Sequence, residues 1–84
     1  MAEILYFARL AESLGIKSET IDLSAECETV ADLVELLRAR GEPFDSTFDG
    51  TTRVLVAINQ EMSEPGADIS NSDEIAFFPP VTGG

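Results

Sequence analysis

The sequence predicts an α+β fold, with a mixed β-sheet packed on one side against one main helix. Two observations carry the prediction. Runs of strand length or period two, rich in β-favouring residues, occur at Glu3 to Ala8, Lys17 to Leu23, Arg53 to Ile58 and Glu74 to Phe78. One stretch, from Val30 to about Arg40, instead repeats its apolar residues at helical spacing. Two strands, one amphipathic helix and then further strands make a layered arrangement in which the helix buries its stripe against the sheet.

The first run sets Ile4, Tyr6 and Ala8 against Leu5 and Phe7, so it reads as a strand with apolar groups on both faces. Arg9 to Leu14, ahead of Gly15, fits a short helical turn closed by a glycine cap. Lys17 to Leu23 alternates Glu19, Ile21 and Leu23 with Ser18, Thr20 and Asp22, a strand with one wet face that completes a first antiparallel pair. Thr29 can cap the next helix, and Asp32 places a carboxylate at its positive end. Val30, Leu33, Val34 and Leu37 form the core stripe, while Asp32, Glu35, Arg38 and Arg40 can remain in water. Gly41 and Pro43 end the helix, and Phe44 to Gly50, lacking periodicity, reads as a loop. Arg53 to Ile58 is the strongest candidate for a central strand, and Asn59-Gln60 turns it into a short strand around Glu61-Met62. Ser63 to Asp73, with Pro65, Gly66 and Asn71, is turn-rich. Glu74 to Phe78 sets Ile75 and Phe77 against Ala76 and Phe78 and runs directly into a tail.

With 84 residues and 44% hydrophobic content, the chain suits one domain over residues 1–78 followed by an extended tail over residues 79–84. Cys27 is the only cysteine, which excludes an intramolecular disulfide and a cysteine-cluster metal site and is compatible with a reducing compartment. The opening residues carry Glu3 where a signal peptide would want a base, and their apolar run is too short for a membrane span, so cytoplasmic residence is the expectation. Sixteen acids against five bases give a net charge of -11. That charge disfavours binding to nucleic acid or an anionic membrane through a basic patch. It suits either docking onto a basic partner or adaptation to salt, and charge alone does not separate these.

The last six residues are Pro79-Pro80-Val81-Thr82-Gly83-Gly84. The diproline biases the segment toward extended polyproline geometry. A diglycine without Cβ atoms can thread a narrow groove on another protein. Fully extended, the six residues span roughly 20 Å, enough to enter a deep cleft with the Gly84 carboxylate leading. That carboxylate is the candidate reactive group. The rest of the chain lacks tools for catalysis of its own. Without histidine there is no Ser-His or Cys-His dyad, without a glycine-rich phosphate loop there is no nucleotide site, and the many carboxylates single out no pair. Cys27 is the rival reactive group. It precedes a helix N-terminus, which lowers a thiol pKa, but Glu26 and Glu28 flank it and favour the protonated form.

Phe77-Phe78-Pro79-Pro80-Val81-Thr82-Gly83-Gly84, preceded by Val56-Ala57-Ile58-Asn59-Gln60 and Asp73-Glu74-Ile75-Ala76, resembles the sulfur-carrier small subunits of molybdopterin synthase, a ubiquitin-like sulfur-carrier family. Leu5-Tyr6-Phe7-Ala8 and Thr29-Val30-Ala31-Asp32-Leu33 extend the likeness nearly end to end, while Gly41 to Thr52 carries no signature. The resemblance implies a ubiquitin-like β-grasp and a carrier that binds no cofactor alone. It implies that a ubiquitin-activating-type adenylyltransferase uses ATP to adenylylate Gly84 and that a sulfur donor protein then leaves a thiocarboxylate there. In the synthase large subunit, that sulfur converts cyclic pyranopterin monophosphate to the molybdopterin dithiolene. A carrier for thiazole, cysteine or tungsten-cofactor synthesis, a ubiquitin-like modifier joined to target lysines and a simple binding module are the alternatives.

Docking should need more than the tail residues Pro79, Pro80, Val81, Thr82 and Gly83. Phe7 and Phe78 stand on strands whose opposite parity already supplies a core face, and with Met62 they can form the apolar centre of an interface, where aromatics and Met are enriched. A sheet buried on both faces is the alternative, and parity does not choose the outward side.

Overall fold

In the computed structural model, which describes residues 1–80, strand β1 (Ala2–Tyr6) passes through the short helix α1 (Arg9–Leu14) into β2 (Ser18–Ile21). The main helix α2 (Val30–Arg38) and a second short helix α3 (Phe44–Phe48) follow, then β3 (Leu55–Ile58), β4 (Glu61–Ser63) and β5 (Glu74–Phe78). The sheet order is β2-β1-β5-β3-β4. β5 lies parallel to β1 and antiparallel to β3, and the two outer pairings are antiparallel, so the sheet is mixed as the sequence predicts.

Local chemistry explains the element ends. Gly15 closes α1 in the left-handed region at φ 78, and its N–H donates to the Ala11 carbonyl at 2.8 Å. Thr29 and Asp32 form a reciprocal capping box on α2: the Asp32 N–H donates to Thr29 Oγ1, and the Thr29 N–H donates to Asp32 Oδ2. Asn59 and Gln60 both have positive φ, the geometry of a tight hairpin turn between β3 and β4. The Asn59 side chain then ties this hairpin to β5, donating to Asp73 Oδ1 at 2.9 Å and accepting from the Glu74 N–H at 3.0 Å.

The core lies between one sheet face and the helices. Ile4, Ile75, Leu33 and Leu37 are fully buried, with Val30 beside them. Tyr6 stacks on Phe77 with ring centroids 6.2 Å apart, and Phe48 meets Phe77 edge-on at 5.1 Å. The stripe expected on α2 is therefore the core stripe, with Val34 packed at its margin.

The structure corrects the reading of residues 44 to 50 as a loop. Phe44–Phe48 is a helix, and its two phenylalanines, four apart on one face, pack onto Tyr6. Five residues are too few to show a period, and so short a helix persists through tertiary packing. Several boundaries also move inward. α2 ends at Arg38 with Ala39 as its cap, the second strand keeps only Ser18–Ile21, and the strand read from Arg53 begins at Leu55. β3 is interior, but β5 holds the centre of the sheet.

Candidate functional site

Residues opposite one another across paired strands share a face of the sheet. Ile4, Ile75 and Ile58 form one row on the core side, and Tyr6, Phe77 and Val56 form the next. The intervening residues therefore face away from the helices. Leu5, Ala76, Ala57 and Met62 make a continuous row in register across β1, β5, β3 and β4. Phe78 stands opposite Leu55 in the next row. Phe7 extends the alternation of β1 by one residue, its N–H donating to the Phe77 carbonyl at 3.1 Å.

This second face is apolar and open. Met62 is 63% exposed and Phe7 49%, while Leu5, Leu55 and Phe78 are half-buried. Ala57 and Ala76 are shielded but stand outside the core cluster, as short side chains between larger neighbours on the far side of the sheet would. The opposite end of the same face turns acidic, with Glu3 paired across from Glu74. The apolar part is thus concentrated where β5 leads into Pro79 and Pro80, both half-buried.

The structure brings together Phe7, Met62 and Phe78 on one side of the sheet, next to Pro79 and Pro80. Val81, Thr82, Gly83 and Gly84 lie outside the described residues. Leu5, Leu55, Ala57 and Ala76 belong to the same face and were not singled out from the sequence. Parity within a strand already links Leu5 to Phe7 and Ala76 to Phe78, whereas Leu55 and Ala57 join them only through the strand registers.

The geometry does not favour Cys27 as a sulfur centre. Its side chain is buried in the core cluster at the edge of α2. Burial, and then the nearby Asp32 carboxylate, push the thiol above its ordinary pKa, so the nucleophilic thiolate is scarce at neutral pH. Among the described residues, no group of acidic or cysteine side chains is arranged to hold a metal ion, and no helix is long and apolar enough to cross a membrane. An apolar plate beside the end of β5 is equipped to dock.

Residues 4–84 match the ThiS family over nearly the whole sequence. The chain belongs to the ThiS family. It is 37% identical to a molybdopterin synthase sulfur carrier subunit of Haemophilus influenzae, the alignment covering 100% of both chains. It is 33% identical to a human protein of the same name, covering 98% of this chain and 92% of that one. Its fold superposes on the crystal structure of SAMP1, a small archaeal modifier protein of Haloferax volcanii, with a TM-score of 0.78 at 32% identity, covering 99% of this chain and 98% of that one. The fold of this ThiS-family protein is accordingly the ubiquitin-like β-grasp, with β5 at the centre of the sheet and leading into the C-terminal segment.

Proposed function

We propose that this ThiS-family protein is the sulfur carrier of a molybdopterin synthase and that Gly84 is the atom-transferring residue. The observation that carries the proposal is the apolar face of Phe7, Leu55, Met62 and Phe78, placed where the chain leaves the sheet toward Gly83-Gly84. The full-length likeness to carrier subunits of that name supports it. A face of this kind seats the domain on a large subunit while the glycines reach inward.

A carboxylate is a poor electrophile. An adenylyltransferase partner joins the Gly84 carboxylate to the α-phosphate of ATP, releasing pyrophosphate. Hydrosulfide, released from a donor protein's persulfide by a thiol reductant, then displaces AMP and leaves a thiocarboxylate. Its sulfur bonds to a carbon of the cyclic pyranopterin monophosphate held by the large subunit as that carbon gives up a bond to oxygen. Water cleaves the resulting acyl–sulfur bond to return the Gly84 carboxylate, and a second thiocarboxylate supplies the other sulfur of the dithiolene. ATP belongs to the activating partner, and the carrier works in the cytoplasm.

The test is the intact mass of the chain after incubation with its activating enzyme, ATP and a sulfur donor. Replacement of one oxygen by sulfur, localised by fragmentation to Gly84, is expected. An unchanged terminus, with the enzyme active on a control carrier, overturns the proposal. The likeness to SAMP1 favours a second reading, a modifier conjugated through Gly84. That reading predicts diglycine remnants on lysines of other proteins, which a dedicated carrier does not leave.

A further inference from the structure

The chain carries five bases, and the structure separates them into two kinds. Arg38 is paired with Asp45 and Glu35, and Arg40 with Glu19. Arg9 and Arg53 are exposed and form no ion pair or side-chain hydrogen bond among the described residues. Both stand at the foot of the tail. Phe7 runs beside Phe78, and the positive-φ turn at Ala8 sets Arg9 next to Pro79, with which it lines a cleft of about 320 Å³ that also includes Thr52. Leu55 is opposite Phe78 and Thr52 lines the cleft with Pro79, so Arg53, between them in the chain, lies near the end of β5. Lys17, the remaining base, precedes β2 at the far edge of the sheet.

Two cations that form no ion pair among the described residues, on one part of a strongly anionic surface, have a directional meaning. Nearby acids do not pair with them among the described residues: Glu12 makes no ion pair there, Asp49 accepts from Thr51, and of the two acids lining a cleft with Arg53, Glu35 pairs with Arg38 and Glu64 makes no ion pair. They also adjoin the apolar face, Arg9 two residues after Phe7 and Arg53 two before Leu55, which is the position of a polar rim around an interface. A partner with carboxylates at the mouth of its tail cleft would repel most of this chain and accept this end alone. We infer that Arg9 and Arg53 dock against acidic side chains on the large subunit, around the opening that receives the tail, and so fix which end of the carrier enters. This rests on the carrier reading and adds the electrostatic sign of the contact.

The sign makes the inference testable. The double variant R9E/R53E makes an already anionic chain more anionic. A partner surface that is basic throughout would bind it faster and tighter. An acidic rim would bind it more weakly, and we expect affinity for the cognate large subunit at low salt to fall about tenfold or more. K17E, which changes charge in the same direction far from the tail, should not weaken binding. The R9Q/R53Q pair should lie between parent and R9E/R53E, and all variants should melt with the parent because neither arginine holds a folded-state bond among the described residues. Restoration of R9E/R53E binding by a Glu→Lys or Asp→Lys change at the large subunit's opening supports the inference. Unchanged or tighter binding of R9E/R53E, with the parent binding normally, overturns it and leaves the carrier reading standing. A parent chain that does not bind the large subunit overturns both.

Discussion

Arg40 holds Glu19 through two near-parallel hydrogen bonds, Nη1 donating at 2.9 Å and Nη2 at 2.8 Å to the two carboxylate oxygens. The residue that follows the cap of α2 is thereby tied to β2, 21 positions away in the chain. The Tyr6 hydroxyl donates to the same carboxylate at 2.7 Å, and the guanidinium lies 4.9 Å from the Phe44 ring centroid. One ion pair therefore joins the end of α2 and the start of α3 to β1 and β2. Burial raises the Glu19 pKa, but the Arg40 and Tyr6 hydrogen bonds outweigh it and hold the carboxyl below its ordinary value.

Arg40→Ala should reduce stability by about 1–2 kcal/mol, since it leaves a half-buried carboxylate with Tyr6 as its remaining donor. Arg40→Lys should recover only part of that loss, because an ammonium cannot reproduce the two-pronged contact. Urea denaturation of the three proteins checks both statements; equal midpoints would show that the pair contributes nothing.

Acid should destabilise the fold in a defined window. Glu19, Asp32, Asp49 and Asp73 all have folded pKa values below their ordinary values of 4.5 and 3.8. Burial acts against the shift at Glu19, whereas backbone N–H donors at Asp32, Thr51 at Asp49 and the Asn59 amide at Asp73 produce it. A lowered carboxylate pKa stabilises the folded state above the unfolded value and ceases to do so as pH falls through the folded one. Melting temperature should therefore be level from neutral pH down to about pH 5 and drop below pH 4.5. Glu19→Gln should start from a lower plateau and lose less on acidification.

Phe77 and Phe78 are neighbours with opposite duties. Phe77 is 1% exposed and packs on Tyr6 and Phe48, so Phe77→Ala should cost about 3–5 kcal/mol, a large share of the stability of a domain this small. Phe78→Ala and Phe7→Ala should leave a cooperative melt while weakening binding to the large subunit. Thermal denaturation and a binding titration on the same samples separate the effects. A Phe7 variant with undiminished affinity would remove that side chain from the interface.

Cys27→Ala should retain sulfur transfer, with at most a modest loss of stability from the shortened core side chain. The parent thiol should react slowly with iodoacetamide at neutral pH and faster as pH rises past its elevated pKa, which thiol-labelling rates will show. Rapid labelling of the native chain at neutral pH would contradict the buried, protonated state.

Element types were legible wherever a period had room to repeat or a terminus had its own chemistry. Val30, Leu33 and Leu37 announced α2, Thr29 and Asp32 its cap, and Gly15 the end of α1. The α3 helix was not legible, because Phe44 and Phe48 are only one turn apart and their reason for pairing, the rings of Tyr6 and Phe77, comes from opposite ends of the chain.

The candidate site divides in the same way. Phe7, Met62, Phe78 and the diproline could be named from residue type and strand parity, because alternation separates two faces without any knowledge of neighbours. Parity carries no sign. Which face meets water was decided by strand order and register, which put the helices over Ile4, Ile75 and Phe77 and left Leu5, Ala76, Ala57 and Met62 in one open row. The placement of Arg9 and Arg53 near the end of β5 is equally tertiary, since they stand 44 positions apart and come to the same end of the sheet only because β1 and β3 flank β5. By itself the sequence determined the periods, the caps and the chemistry of the final residues, which depend on nearest neighbours alone. Contacts between distant segments required the folded sheet, because only long-range pairing decides which side chains share a surface.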